Sequence, residues 1–303
     1  MNTQELTNLV ADILSQMNSA EPMVKGSDYK TVLLQPDRHE VAPVDTGCAC
    51  DVTAMNLRKL YLVKNPADGD KFRRMKEKTP ARLGSGKAGA RYKTLTMLRF
   101  RADHAAAQDA VFSQVPEDFA AKHHMTPVQT ECTSKDEYLT RPDKGRRFDE
   151  RNAQIIRSAV PGKPRVLIVV GDGLSSAAIT ANALDCKAAI QDGLKLRNIE
   201  YGPDLFVRYC RVGAGDAIGD ITGCELVCML VGERPGLVTD KSMSAYITYK
   251  PHTGVSESAR TVVSNIHSQG TPAAEAGAYI AELIEKILSK KVSGVGLHTE
   301  VSS

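Results

Sequence analysis

The chain has 303 residues, of which 42% are hydrophobic and 25% are charged, a composition typical of a globular protein with room for two domains. Lys and Arg outnumber Asp and Glu by only 39 to 36, so the overall charge gives no reason to expect a nucleic-acid partner. No stretch approaches the roughly 20 apolar residues of a membrane span and no secretory signal begins the chain, so we expect a cytoplasmic protein that contacts no membrane.

The first twenty residues have the pattern of an amphipathic helix, which we assign to residues 1–20. Its apolar residues recur at steps of three and one, at Leu6, Leu9, Val10, Ile13, Leu14 and Met17. Residues 21–54 show no sustained periodicity and predict a flexible linker. A tethered helix of this kind is typical of a docking peptide for another protein, and packing of the helix on its own domain is the alternative.

Residues 55–160 predict a mainly helical domain. Within it, residues 71–101 form a basic segment with eleven Lys and Arg residues against one acid, Glu77. Aromatic residues are sparse there and no zinc or helix-turn-helix signature accompanies them, so the basic segment indicates an interface for an acidic subunit or a phosphate rather than for nucleic acid.

Residues 161–303 change to short apolar runs that alternate with helical segments. The pattern predicts strands at 166–170, 205–210, 225–231 and 245–249, a helix after Ser175, a short helix at 217–222 and a last helix at 272–289. This alternation predicts a Rossmann-like, parallel-rich α/β sheet with flanking helices. Ligands of such sheets bind beyond the carboxyl ends of the strands, where the loops GDGLSS, RVGAGD and GERPGL lie.

The loop GDGLSS carries the first two glycines of a dinucleotide-binding fingerprint, but Ser176 occupies the third glycine position. A nicotinamide site also needs an acid that closes a second strand, and the nearest candidate, Asp192, lies in a helical stretch. The loop does not match a serine-nucleophile motif either. A local turn for Asp172 and an N-cap for Ser175 are its simplest roles.

The loop GERPGL places Glu233 and Arg234 directly after a very apolar strand. A buried strand end is a costly position for a carboxylate. Two interpretations remain open: an internal pair between Glu233 and an Arg, or a carboxylate that accepts amide hydrogens from a bound ligand.

Seven cysteines at irregular spacing indicate reduced thiols in a cytosolic protein. Neither the Cys48 and Cys50 pair nor the Cys224 and Cys228 pair has a matching Cys or His pair nearby, so the sequence predicts no metal site. No pattern identifies a catalytic residue.

Eight segments, in order, resemble the small (light) subunit family of ethanolamine ammonia-lyase, an adenosylcobalamin-dependent enzyme. The resemblance covers about residues 80–297. The segments are LRFRADHA (98–105), YLTRPDKGRRF (138–148), DGLSS (172–176), FVRYCRV (206–212), LVGERPGL (230–237), SAYITYKP (244–251), SNIHSQGTP (264–272) and SGVGL (293–297).

The resemblance implies a subunit of a heteromeric carbon–nitrogen lyase that converts ethanolamine to acetaldehyde and ammonia by radical chemistry. The large subunit would hold the substrate, and this chain would close over the cobalamin at the subunit interface. By position in the family's motifs, the cobalamin contacts fall on Val212, Glu233 and Val262. Glu233 would accept hydrogen bonds from corrin amides. Relatives can carry Cys at the position of Val262, so the contact implied there is through the backbone.

Three further expectations follow from the resemblance. The chain lacks the D-x-H-x-x-G motif that supplies a cobalt-ligating His in other cobalamin folds, so His267 is expected to be structural. Residues 172–176 are expected to form a wall of the crevice near the corrin. Residues 1–20 suit an encapsulation signal for a bacterial microcompartment, where shell or cargo proteins would be partners and the lumen the location.

Two other functions remain as alternatives. One is a nucleotide (NAD)-binding oxidoreductase, which would use the loop GDGLSS. The other is a non-enzymatic adaptor that uses only the N-terminal helix and the basic segment.

Overall fold

The fold is taken from a computed structural model that describes residues 51–56 and 59–297. The predicted helix 1–20, nearly all of the predicted linker 21–54, and Cys48 and Cys50 lie outside the described residues. No helix of the described residues is long and apolar enough to cross a membrane.

Helices flank a central sheet, and several begin at a side chain that accepts an N–H of the first turn. These N-caps are Asp68, Ser134, Asp149 and Ser175. The α-helices of the described residues are α1 (Gly69–Lys76), α2 (Thr94–Phe112), α3 (Phe119–Lys122), α4 (Lys135–Thr140), α5 (Glu150–Ala159), α6 (Ser176–Leu196), α7 (Ala214–Thr222) and α8 (Ala273–Lys290).

The strands of the described residues form a two-stranded hairpin and a six-stranded sheet. The hairpin contains β1 (Lys87–Ala88) and β2 (Arg91–Tyr92). The sheet contains β3 (Thr126–Gln129), β4 (Val166–Gly171), β5 (Leu205–Arg208), β6 (Leu226–Gly232), β7 (Met243–Tyr249) and β8 (Arg260–Ile266), in the order β3-β5-β4-β6-β7-β8.

The predicted α/β fold with flanking helices is confirmed, but the sheet is mixed rather than parallel throughout. Strands β3, β5, β4 and β6 are parallel, whereas β7 and β8 are antiparallel to their neighbours. The connection from β6 to β7, residues 233–242, contains no helix and is too short for the crossover that a parallel pair needs. The Rossmann-like description stays a prediction.

Two strands of the sheet, β3 and β8, were not predicted from the sequence. Strand β3 has four residues, one of which is Pro127. In β8, at the other edge of the sheet, buried and exposed residues do not alternate regularly. Strand β5 is shorter than predicted, because Tyr209 adopts a φ of 56° and ends it. Strand β3 comes from residues 55–160 yet joins the same sheet as the later strands, and the domain boundary near residue 160 stays a prediction.

The two faces of the sheet are covered unequally. On the first face, α6 and α8 bury side chains such as Ile168 and Leu230 along the whole sheet. On the second face, α5 and α7 cover side chains such as Leu167 and Met229. Around Tyr246 of β7 and Val262 of β8 this second face is open, because Tyr246 is half-buried and Val262 is 47% exposed. We call this uncovered area the open face.

Candidate functional site

A groove of about 490 Å³ lies on the open face, where β6 ends and β7 begins. Because β7 runs antiparallel to β6, Gly232 lies opposite Met243, and the end of one strand meets the start of the other. We call it the Glu233 groove, and its lining residues are Glu233, Arg234, Gly236, Leu237, Val238, Thr239, Ser242, Ser244, Tyr246, Ser264 and Asn265.

Glu233 is held by the two strands next to it. Its backbone N–H donates to the carbonyl of Ser242 at 2.9 Å, and the Tyr246 hydroxyl donates to Oε1 at 2.5 Å. Among the described residues no cation pairs with this half-buried carboxylate, so they give no support to the interpretation as an internal pair with an Arg. Within the same residues Oε2 has no hydrogen-bond partner, and it remains able to accept one.

Tyr246 acts as the fixed donor to that carboxylate. Burial, together with the hydrogen bond to Glu233, raises the pKa of Tyr246 well above its ordinary range. The phenol therefore keeps its proton at neutral pH and always donates. This hydrogen bond occupies Oε1 of Glu233, so Oε2 is the oxygen that can accept from a second partner.

Val262 lies next to Tyr246 on the open face. The two residues are directly opposite each other in the antiparallel pair of β7 and β8, so their side chains lie on one side of the sheet. The structure thus brings two of the predicted cobalamin contacts, Glu233 and Val262, to either side of one tyrosine.

Val212 lies in the turn between β5 and α7, at the border of the same face. Its carbonyl accepts the N–H of Gly215 at 3.0 Å, and no described residue accepts its own N–H. Gly215 packs against β6 so closely that a Cβ there would lie 2.9 Å from Cγ of Met229. Met229 in turn is opposite Tyr246 in the ladder, whereas Val212 itself lies outside the lining of the Glu233 groove.

The groove also contains a buried hydroxyl group without a partner. Ser244 is fully buried, and among the described residues its Oγ makes no hydrogen bond. Such groups are rare in folded proteins, because each costs about 1–3 kcal/mol.

The sequence analysis did not predict Ser244 or Tyr246 as site residues. The available signal was the period of two in SAYITY, which places them on the face opposite Ala245 and Ile247.

The loop GDGLSS is part of the buried framework and not a ligand surface. Asp172 accepts the N–H of Val115 at 3.2 Å and the hydroxyl of Ser176 at 2.6 Å, and each of these two side chains is at most 2% exposed. The predicted N-cap at Ser175 is confirmed, since its Oγ accepts the N–H of Ala178 at 3.0 Å. The prediction that residues 172–176 form a crevice wall is wrong for the side chains of Asp172, Ser175 and Ser176, which are buried.

The same loop offers no space for a dinucleotide. A Cβ at Gly171 would lie 2.7 Å from Sγ of Cys210, and one at Gly173 would lie 2.8 Å from the carbonyl of Gly232. Both glycines therefore serve close packing against neighbouring strands. Asp192 pairs with Lys195 at 3.2 Å on an exposed helix surface. The structure gives no support to a nicotinamide site.

Part of the basic segment fixes the loop that follows Glu233. Arg82 pairs with Asp103 at 2.6 Å and donates to the carbonyl of Leu237 at 2.7 Å. At the other end of residues 233–242, the Ser175 hydroxyl donates to the carbonyl of Asp240 at 2.5 Å and the Asn182 amide donates to that of Lys241 at 2.8 Å. The wall of the Glu233 groove is therefore attached at both ends.

The predicted thiols and His267 have structural surroundings. All five cysteines of the described residues are buried, and burial raises the pKa of Cys186 to about 12. His267 is 8% exposed, and its Nδ1 accepts the N–H of Gln269 at 3.2 Å. Burial lowers the pKa of His267, which favours a neutral ring. No cluster of His, Cys, Asp and Glu in the described residues has the arrangement of a metal site.

A larger cleft of about 640 Å³ lies along β3, at the far edge of the sheet. Several of its polar groups have partners: the N–H of Gln129 donates to Asn152 Oδ1 at 3.0 Å, and Lys144 pairs with Glu137. It contains neither a predicted contact residue nor an unsatisfied buried side-chain atom of the described residues. We therefore take the Glu233 groove as the candidate site.

These features define a mixed α/β protein with a candidate groove on the uncovered part of its sheet. A family model described as ethanolamine ammonia-lyase light chain matches residues 69–298. Relatives called ethanolamine ammonia-lyase small subunit are 54% identical in Clostridium perfringens and in Clostridioides difficile, and 52% identical in Listeria monocytogenes. Each alignment covers 98% of this chain and 100% of the relative. The chain belongs to the ethanolamine ammonia-lyase light chain family, whose members are subunits of a lyase.

Proposed function

We propose that the chain is the small subunit of an ethanolamine ammonia-lyase and that its Glu233 groove binds adenosylcobalamin at the interface with a large subunit. The relatives' shared name supports the enzyme and a larger partner subunit. One observation supports the groove: the Glu233 carboxylate is fixed by Tyr246 on one oxygen and has no partner among the described residues on the other.

The groove has the chemistry that the edge of a corrin requires. Corrin side chains end in primary amides, which need both hydrogen-bond acceptors and donors. Glu233 Oε2 provides an acceptor in the groove, and the N–H of Val212, outside the lining of the groove, is proposed as a donor. The exposed side chains of Val238 and Val262 offer apolar surface beside them. The residues present therefore fit the cofactor, with Val262 in contact through its backbone and its apolar surface.

This chain contributes binding and orientation. When bound, adenosylcobalamin supplies the organic radical that removes a hydrogen atom from the substrate. Glu233, Val212 and Val262 would hold the cofactor at the subunit interface and exclude water there. No residue of this chain is proposed to transfer a proton or a hydrogen atom.

The test compares two carboxylates at opposite ends of β6. Glu233→Gln keeps the shape and loses the charge, and we expect cofactor affinity of the complex with the large subunit to fall about tenfold. Glu225→Gln is the matched control, since Glu225 also accepts from a tyrosine, Tyr249, but lies outside the groove. Equal affinities of Glu233→Gln and the wild type, measured by spectrophotometric titration with cobalamin, would refute the role of the groove.

Residues 1–20 are proposed to direct the enzyme into a bacterial microcompartment. The support is their amphipathic pattern and the linker-like residues 21–54 that follow. In this proposal a shell or cargo protein binds the apolar stripe, and the assembled lyase lies in the lumen of the compartment.

A further inference from the structure

Ser244 is a polar residue in a place that packing alone does not explain. It is 0% exposed, it lines the Glu233 groove, and among the described residues Oγ has no hydrogen-bond partner. The only other buried side-chain atom of the described residues with this property is Nε of Arg211, whose guanidinium is otherwise bonded to the carbonyl of Tyr138. Ser244 thus stands out as a hydroxyl that lacks its partner in the free chain.

A β-bulge opens the sheet directly opposite Ser244. Met243 pairs with Ile266 and Ala245 pairs with Val263, so Ser264 and Asn265 together face one residue of β7. Asn265 has a φ of 61°, its side chain is exposed, and its side-chain amide has no hydrogen-bond partner among the described residues. Bulges commonly redirect side chains beside ligand sites. The exposed Asn265 is the neighbour of Ser244 with most freedom to move aside for a ligand.

Ser244 and Glu233 are spaced to hold the two ends of one small polar group. Glu233 bonds the backbone of Ser242, and Ser244 lies two residues further along β7 on the same face. The Glu233 side chain extends along this face as far as the Tyr246 hydroxyl, two residues beyond Ser244. One amide group, with two hydrogen bonds of about 3 Å each, is of a size to contact both the Glu233 carboxylate and the Ser244 hydroxyl.

We propose that Ser244 and Glu233 together bind one primary carboxamide of the ligand, with the Ser244 hydroxyl donating to its carbonyl oxygen and Glu233 Oε2 accepting from its N–H. The inference rests on the proposed function, in which the ligand is a cobalamin and the carboxamide one of its corrin side chains. A donor and an acceptor used together distinguish an amide from a carboxylate or an ester, because only the amide satisfies both. The pair therefore determines specificity as well as affinity.

The proposed role of Ser244 and the role of a structural serine predict different effects of removing the hydroxyl on the stability of the chain. A structural hydroxyl is bonded within the fold, and its removal destabilises the chain. An unpaired buried hydroxyl has the opposite signature, since its removal is neutral or stabilising for the free chain. Ser244→Ala is therefore expected to leave the melting temperature unchanged or raised while cofactor binding weakens.

The experiment uses the full chain in complex with the large subunit, and cyanocobalamin as the probe. We expect Ser244→Ala to raise the dissociation constant about tenfold. Ser289→Ala is the control, because Ser289 is exposed on α8 and lies outside the lining of the groove, and its dissociation constant should match the wild type. The double variant with Glu233→Gln should lose less affinity than the product of the single losses, since both residues hold one amide.

The outcomes distinguish this inference from the proposed function. Wild-type affinity in Ser244→Ala, with weakened binding in Glu233→Gln, would overturn the role of Ser244 and leave the groove as the site. Wild-type affinity in both variants would overturn both. A lower melting temperature of Ser244→Ala, or fully multiplicative losses in the double variant, would also overturn the shared amide.

Discussion

Asp216 and Arg260 form a buried, two-point ion pair that joins α7 to β8 across the second face of the sheet. Both bonds between the guanidinium and the carboxylate are 2.7 Å long, and the two residues are 6% and 7% exposed. Asp216 lies in the first turn of α7, close to Val212, and Arg260 lies two residues before Val262. The ion pair thus fixes the distance between two of the proposed cofactor contacts.

Removal of the Asp216 charge should destabilise the chain strongly. Asp216→Asn leaves Arg260 with a neutral partner, the Thr248 hydroxyl, and with the carboxylate of Glu257, whose side chain is 73% exposed. Loss of one partner of a buried pair costs about 3–5 kcal/mol. The free energy of unfolding is measured by chemical denaturation. Glu257→Gln is the control and should cost less than about 1 kcal/mol, and equal losses in both variants would contradict a dominant buried pair.

Tyr246→Phe should weaken cofactor binding more than it weakens the fold. The ring is kept, but Glu233 loses the donor that orients it, so we expect a several-fold rise in the cobalamin dissociation constant and a loss of about 1 kcal/mol in stability. Tyr249→Phe is the control, since its hydroxyl bonds Glu225 at 3.4 Å away from the groove. Identical dissociation constants in the two variants would argue against orientation of Glu233 by Tyr246.

Arg82→Ala should loosen the loop of residues 233–242. Arg82 bonds the carbonyl of Leu237, and without it the side-chain bonds from other described segments to this loop are those to the carbonyls of Asp240 and Lys241. A bond from a charged donor contributes about 1.5–3 kcal/mol. Hydrogen exchange at the amides of residues 237–239 should therefore quicken, with weaker cobalamin binding. Arg74→Ala, at an exposed position of α1, is the control, and unchanged exchange in Arg82→Ala would contradict the attachment.

Stability should fall at alkaline pH because of Tyr138. Burial raises the pKa of Tyr138, which is 1% exposed, well above the ordinary value of about 10. Above about pH 10 the unfolded chain releases this proton while the folded chain keeps it, so the contribution is complete below that pH and declines above it. Unfolding free energies between about pH 9 and about pH 11 should fall less steeply in Tyr138→Phe. Parallel slopes for wild type and variant would contradict the assignment.

Deletion of residues 1–20 should separate packaging from activity. The lyase lacking these residues is expected to keep its rate of ammonia release, because the groove is lined by residues between 233 and 265, and to be lost from purified microcompartments. Co-sedimentation with shells, measured for full-length and truncated enzyme, checks this. Retention of the truncated enzyme in the shells would contradict the proposal that residues 1–20 are an encapsulation signal.

Of the four parallel strands of the sheet, the sequence predicted β4, β5 and β6. Strand β4 and strand β6 are long apolar runs, and buried strands of this kind need no distant partner to be recognised. Strand β3, with four residues and a proline, has almost no local signal and forms because β5 offers an edge. The direction of β7 was also missed, because it depends on the length of the preceding loop and not on the strand itself.

The sequence by itself determined the family of the chain and, within the candidate site, the position of Glu233 at the end of an apolar strand. Only the tertiary structure decided that Tyr246 orients that carboxylate, that Ser244 lies unpaired beside it, and that the loop of residues 172–176 is buried. The physical reason is that hydrogen bonds across a sheet depend on strand register and direction. These arise from pairing between distant segments, so no local pattern of residues encodes them.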